Sequence, residues 1–175
     1  MLIELSELLS VDEKEQDVTA DIEMQRFTSK MSDYEITDRI HLNVKIRNIG
    51  KRKLALETVI QISLKIPCDR CLEDVKYDMN IEVNKEIDMN ESENDGVELT
   101  DEQSYIENQV LDTEKLVYNE ILVHLPMKVL CSENCKGICN RCGANLNSQT
   151  CNCDTTELDP RMSKIRDIFN NFKEV

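Results

Sequence analysis

Residues 40–67 read IHLNVKIRNIGKRKLALETVIQISLKIP, and this stretch decides the fold. Ile40, Leu42, Val44 and Ile46 alternate with polar residues, the period of a half-buried strand. Asn48-Ile49-Gly50-Lys51 carries turn chemistry. Leu54, Leu56, Thr58, Ile60, Ile62, Leu64 and Ile66 then keep one parity, as one long strand or two separated by a bend. Pro67 ends the run, because proline has no N–H for a ladder. Val75, Tyr77, Met79, Ile81, Val83 and Ile87 resume the period of two, with Lys85 breaking it near the end. The two runs flank PCDRCLED, residues 67–74. They predict an antiparallel hairpin with that octet at its tip.

The signal weakens on either side. Ile3, Leu5, Leu8 and Leu9 suggest a short strand and then a helical turn. Residues 12–21 read as a solvated acidic loop, and residues 22–28 and 34–37 as short strands. Residues 88–103, acidic and aperiodic, read as a mobile loop. Tyr105, Ile106, Val110 and Leu111 include a short strand. Asp112-Thr113-Glu114 opens a helix over 112–125 with acids in its first turn. Leu116, Val117, Glu120, Ile121 and His124 have helical spacing, and Pro126 stops the run. Asp159-Pro160-Arg161 starts a second helix with Met162, Ile165, Ile168, Phe169 and Phe172 as its apolar stripe. The predicted class is α+β: an antiparallel β-sheet or partly closed barrel core, flanking helices and a C-terminal zinc-ribbon-like cysteine module. Residues 1–126 form the β-rich domain and residues 127–175 the cysteine module with its helix.

Six of the eight cysteines lie in residues 131–153, CSENCKGICNRCGANLNSQTCNC. Cys139-Asn-Arg-Cys142-Gly143 is a CxxC turn, which puts two thiolates on one side of a tight loop. The glycine relieves the backbone where N–H groups turn toward sulfur. Cys151 and Cys153 can complete a tetrahedral S4 set, for which zinc is the expected ion. Cys68 and Cys71 form a second CxxC. Cys131 and Cys135 could supply its other two ligands, at a spacing that shares one face if the segment is helical. The eight cysteines then make two S4 sites, or one site and four spare thiols. A redox pair at Cys68 and Cys71 lacks the usual strand-to-helix setting.

The formal net charge is -14, with 35 acids against 21 bases, so the overall field does not favour nucleic acid. The bases cluster, however. Residues 43–53 hold Lys45, Arg47, Lys51, Arg52 and Lys53 and no acid, and Lys136 and Arg141 lie among the cysteines. These seven are the candidate contact residues; otherwise the turn is a solvated loop with lysines guarding strand edges. No apolar run reaches the ~20 residues of a membrane helix. The start MLIELSELLSVDEKEQD has no basic n-region. The chain is expected in the reducing cytoplasm, where metal is favoured over disulfides. His41 and His124 read as structural. No P-loop, GxGxxG, GxSxG or HExxH occurs, and an all-cysteine site leaves no open position for hydrolytic chemistry, so no enzyme is expected.

Residues 130–153 with Asp159-Pro160-Arg161 resemble the YceD family, bacterial proteins named for accumulation of large-subunit ribosomal RNA, with chloroplast relatives. Pro67-Cys68-Asp69-Arg70-Cys71-Leu72-Glu73 is similar to the family's central CxRCL motif, and the helix before Pro126 to the segment preceding its cysteine cluster. The resemblance runs from about Ile40 to the end, in the branch with the full cluster. It implies a non-catalytic ribosome-biogenesis role in synthesis, processing or accumulation of large-subunit ribosomal RNA. The implied partners are that RNA's precursor and/or a ribosomal protein, with no membrane and no small-molecule substrate. The alternatives are a zinc-ribbon adaptor in another complex, such as transcription, and a CxxC thiol oxidoreductase.

Overall fold

The computed structural model describes residues 1–30, 32–89 and 105–153. Of the loop expected over residues 88–103, Asp88 instead ends a strand and Met89 is buried; residues 90–103 and the helix expected from Asp159 lie outside the described residues. The chain divides into two compact units, Met1–Pro67 with Asp74–Val129, and Cys68–Glu73 with Leu130–Val175. The sequence places the boundary at residue 126. In the structure the hairpin tip Cys68–Glu73 groups with the C-terminal cysteines, because their sulfurs and backbones meet.

In the first unit the predicted hairpin is present. Strand β5 spans Ile40–Gly50, β6 Lys53–Pro67 and β7 Asp74–Asp88. The second run is thus one unbroken strand, and β6 pairs with β7 along its whole length, from Lys53↔Asp88 to Pro67↔Asp74. Along its other edge β6 serves two neighbours. Val44–Gly50 of β5 lies beside its first part, and β4 (Asp33–Ile36) beside Leu64 and Lys65. With β2 (Glu15–Ile22) outside β5 and β3 (Arg26–Thr28) outside β4, six strands curl as a half-barrel. Strand β1 (Leu2–Glu4), β8 (Ile106–Glu107) and β9 (Val110–Asp112) form a separate small sheet in the order β1-β9-β8.

Alternation explains the core. Ile40, Leu42, Val44, Ile46, Leu54, Leu56, Ile60 and Leu64 are essentially inaccessible, while their neighbours, apart from the buried Ser63, are partly or fully exposed. Helix α1 (Ser6–Ser10) adds Leu8, and helix α2 (Thr113–His124) adds Leu116, Val117 and Ile121. Asp112 caps α2, its carboxylate accepting from the backbone N–H of Glu114 and Lys115.

One expectation is corrected. Residues 15–21, read as solvated loop, belong to β2, which pairs with β5 from Glu15↔Arg47 to Ile22↔Ile40. The acids Glu15, Asp17 and Asp21 occupy its exposed face, and Ala20 and Ile22 its buried one. Acidic composition hid the period of two. Among the described residues, no helix is long and apolar enough to cross a membrane.

Candidate metal centre

Two CxxC turns organise the second unit, and they share one backbone pattern. In the first, Leu72 N–H donates to Cys68 O at 2.9 Å, and Cys68 N–H to Glu73 O at 2.8 Å. In the second, Gly143 N–H donates to Cys139 O at 2.9 Å, and Cys139 N–H to Ala144 O at 2.8 Å. The residue after each second cysteine has a positive φ, 62° at Leu72 and 72° at Gly143. That left-handed residue reverses the chain so that both sulfurs lie on one side. Glycine does this without strain. Leu72 does it at the cost of a crowded Cβ, and with its side chain 64% exposed.

The turns gather two sets of sulfurs. Cys68, Cys71, Cys131 and Cys135 lie within 4.8 Å of one another, and so do Cys139, Cys142, Cys151 and Cys153. In the first set Cys68 is 3.8 Å from Cys135, and Cys71 is 3.5 Å from Cys131. These separations are far beyond a sulfur–sulfur bond, about 2.05 Å. They fit the edge of a tetrahedron with metal–sulfur bonds of about 2.3 Å. Each set could hold a metal ion. The helical spacing considered for Cys131 and Cys135 is not used. The segment is a turn, closed by Cys135 N–H donating to Ser132 O.

The thiols differ because they compete for charge. Burial pushes the Cys68 thiol up, but the backbone N–H groups of Cys71, Arg70 and Cys131 favour its thiolate, and its pKa is lowered to about 6. At Cys71 the Glu73 N–H favours the thiolate; burial and the thiols of Cys131, Cys68 and Cys135 outweigh it and raise the pKa to about 12. In the second set the N–H groups of Cys142 and Arg141 bring Cys139 down to about 6. The neighbouring Cys142 and burial lift Cys153 to about 12. In the first set Cys135 is held low as well, first by the Asn147 amide, so each set mixes thiols held low with thiols held high, and bringing all four to thiolate crowds like charges together. A divalent cation removes that repulsion, so the donor set fits such an ion.

Residues outside the sequence reading tie the two turns together. Ile138 N–H donates to Arg70 O at 3.0 Å, and the Arg70 guanidinium donates to Cys135 O at 2.8 Å. A Cβ on Gly137 would stand 3.0 Å from Arg70 O, and its φ is 77°, so only glycine fits there without adjustment. Asn145 Nδ2 donates to Glu73 Oε1 at 2.8 Å. Asn147 Nδ2 donates to Cys135 Sγ at 3.3 Å, and its Oδ1 accepts from Lys136 N–H at 2.8 Å. In sequence the asparagines carried only a turn signal.

The basic candidates are divided between the units. Lys45 and Arg47 project from the exposed face of β5, both toward Glu15 at 3.6 and 3.7 Å. Lys53 pairs with Asp88 at 3.0 Å. Lys51 and Arg52 form the two-residue turn between β5 and β6, with φ of 56° and 60°. Lys136 and Arg141 belong to the cysteine unit, both exposed.

A family model described as "Large ribosomal RNA subunit accumulation protein YceD" matches residues 56–169, which include all eight cysteines. An uncharacterized protein of Mycobacterium tuberculosis is 23% identical over 130 residues, 74% of this chain and 62% of the relative. The chain therefore spans about three fifths of the length of that relative. The Arabidopsis thaliana protein named "Large ribosomal RNA subunit accumulation protein YCED homolog 1, chloroplastic" is 24% identical over 160 residues, 77% of this chain and 50% of the relative. YlbN of Bacillus subtilis, also uncharacterized, is 23% identical over 154 residues, 87% of each chain. No solved structure matches.

Proposed function

The chain belongs to the YceD family, and from that premise we propose that it is a non-catalytic ribosome-biogenesis factor needed for the synthesis, processing or accumulation of large-subunit ribosomal RNA. The observation that carries this reading is the extent of the match, which takes in both cysteine turns and the helix α2 that lies between them in sequence. The name of the Arabidopsis relative supports it. The partner is the precursor of that RNA and/or a ribosomal protein, met in the cytoplasm. Basic side chains at the β5–β6 turn suit RNA, and the acidic excess suits a basic ribosomal protein.

Both cysteine sets hold structural zinc in this reading. Four thiolates in a closed tetrahedral set suit zinc, leave no position for a substrate, and supply folding energy to a unit with few large apolar side chains. Metal analysis by mass spectrometry should find two zinc ions per chain, reduced to one by Cys142→Ser. Folded protein without zinc would sink this part.

The function is tested by sedimentation of cell extracts and by deletion. The protein should co-sediment with large-subunit precursors. Cells lacking it should show a lowered ratio of large- to small-subunit ribosomal RNA, restored by the wild-type chain. Migration only with free protein, together with an unchanged ratio on deletion, would overturn the proposal.

A further inference from the structure

We propose that the two cysteine sets bind metal cooperatively, and that Asn147 is the positioning residue through which the Cys139–Cys142–Cys151–Cys153 site raises the affinity of the Cys68–Cys71–Cys131–Cys135 site. The inference rests on the reading that both sets hold metal. Nothing in the spacing of the cysteines requires the sites to communicate.

The argument starts with where Asn147 sits. It lies in the loop between Cys142 and Cys151, so the second site fixes both ends of its segment. Its side chain nevertheless serves the first site. Nδ2 donates to the sulfur of Cys135, and Oδ1 accepts the N–H of the next residue, Lys136. One amide thus sets both the direction and the electron density of a ligand belonging to the other set. Asn145 holds it in place by accepting the Asn147 N–H at 2.9 Å. Asn145 also reaches the first turn through Glu73, whose other carboxylate oxygen is 3.8 Å from Cys71 Sγ. Backbone bonds complete the link. Leu146 N–H donates to Gly137 O, and Ile138 N–H to Arg70 O.

Emptying the second site frees the segment that carries Asn147, and the Cys135 thiolate loses an N–H···S bond. Removing such outer partners costs metal affinity by roughly 10- to 100-fold. Linkage makes the effect reciprocal: losing the first site must weaken the second by the same factor.

The full chain is loaded with zinc, and the affinity of each site is read by competition with a chromophoric chelator. Cys142→Ser/Cys153→Ser isolates the first site, and Cys68→Ser/Cys71→Ser the second. Each isolated site should bind at least tenfold more weakly than in the intact chain. Asn147→Ala keeps all eight cysteines and should weaken the first site to a similar extent. Added to Cys142→Ser/Cys153→Ser, it should cause little further loss. A readout beyond stability comes from cobalt(II) in place of zinc. Without the N–H donor the Cys135 thiolate is a stronger electron donor, so Asn147→Ala should move the sulfur-to-cobalt absorption to longer wavelength. The tetrahedral bands should be kept. Asn147→Asp, which retains an acceptor for Lys136 N–H but offers Cys135 no donor, should behave no better than alanine. A wild-type chain that binds two ions, with each site's affinity unchanged in the single-site variants and in Asn147→Ala, would overturn the coupling and leave the metal reading intact. A wild-type chain that binds no metal would overturn both.

Discussion

Asn48 shows how one polar side chain closes the core of the first unit. It is 1% exposed near the end of β5. Its Nδ2 donates to Leu8 O at 2.9 Å and Val11 O at 3.0 Å, and its Oδ1 accepts from Gly50 N–H. It thereby satisfies carbonyls at the end of α1 and shapes the approach to the β5–β6 turn. Asn48→Leu keeps the volume and strands those carbonyls. It should cost about 2–4 kcal/mol, read as a lowered urea midpoint for loss of β-structure. Leu72 is the opposite case, an exposed side chain on a backbone suited to glycine. The left-handed conformation costs a residue with a Cβ about 1–2 kcal/mol, against about 0.5–1 kcal/mol for the extra freedom of an unfolded glycine. Leu72→Gly should therefore hold zinc as tightly as wild type or more tightly. Leu72→Val, with a branched Cβ in the same strained place, should weaken it. Loss of zinc on Leu72→Gly would show that the leucine side chain itself supports the turn.

At the scale of elements, the long hairpin and the cysteine turns are held by different forces. Strands β5, β6 and β7 bury a continuous apolar face, whereas residues 131–153 contribute few large apolar side chains. Chelation should abolish protected amides in residues 68–73 and 130–153 and spare most of those in β5–β7, as read by amide exchange. Collapse of all of them together would mean that the two units fold as one. Protons follow the metal. Cys71 and Cys153, raised to about 12, stay protonated at pH 7 without metal, and an incoming ion must expel those protons. Calorimetry in buffers of different ionisation enthalpy should show about one proton or more released per ion at that pH. The sign follows. Affinity falls as pH falls, and more steeply once the pH passes below about 6, where Cys68 and Cys139 also take up protons. Affinity independent of pH would contradict thiolate ligation.

At the scale of the whole molecule, charge decides which partners can approach. The net charge is -14, and the basic run of residues 43–53 is partly neutralised by Glu15 and Asp88. The probe is confined to the turn residues Lys51 and Arg52, and Lys53 is left in place because reversing it would put a carboxylate beside Asp88. Lys51→Glu/Arg52→Glu should change stability by less than about 0.5 kcal/mol. It should weaken co-sedimentation with large-subunit precursors, and the residual binding should be less salt-sensitive than that of wild type. Full rescue of the ribosomal RNA ratio by this variant would move the contact away from the turn.

The sequence by itself determined the hairpin. A period of two over residues 40–87 can bury one face in only one way, so strand, turn and tip follow from local pattern. It also determined that Cys139, Cys142, Cys151 and Cys153 belong together, because ligands close in sequence need little chain to meet. Tertiary structure decided the rest. The partners of Cys68 and Cys71 lie some sixty residues away, and only the folded unit brings Cys131 and Cys135 to them. Strand β2 was hidden for a related reason: its acids point to water only because pairing with β5 sets it in the sheet with Ala20 and Ile22 turned into the core. Asn147 carries no mark in the sequence beyond a turn signal. An asparagine in a turn looks alike whether it meets solvent or the sulfur of Cys135, and the difference is made by the long-range contacts that close the two turns on each other.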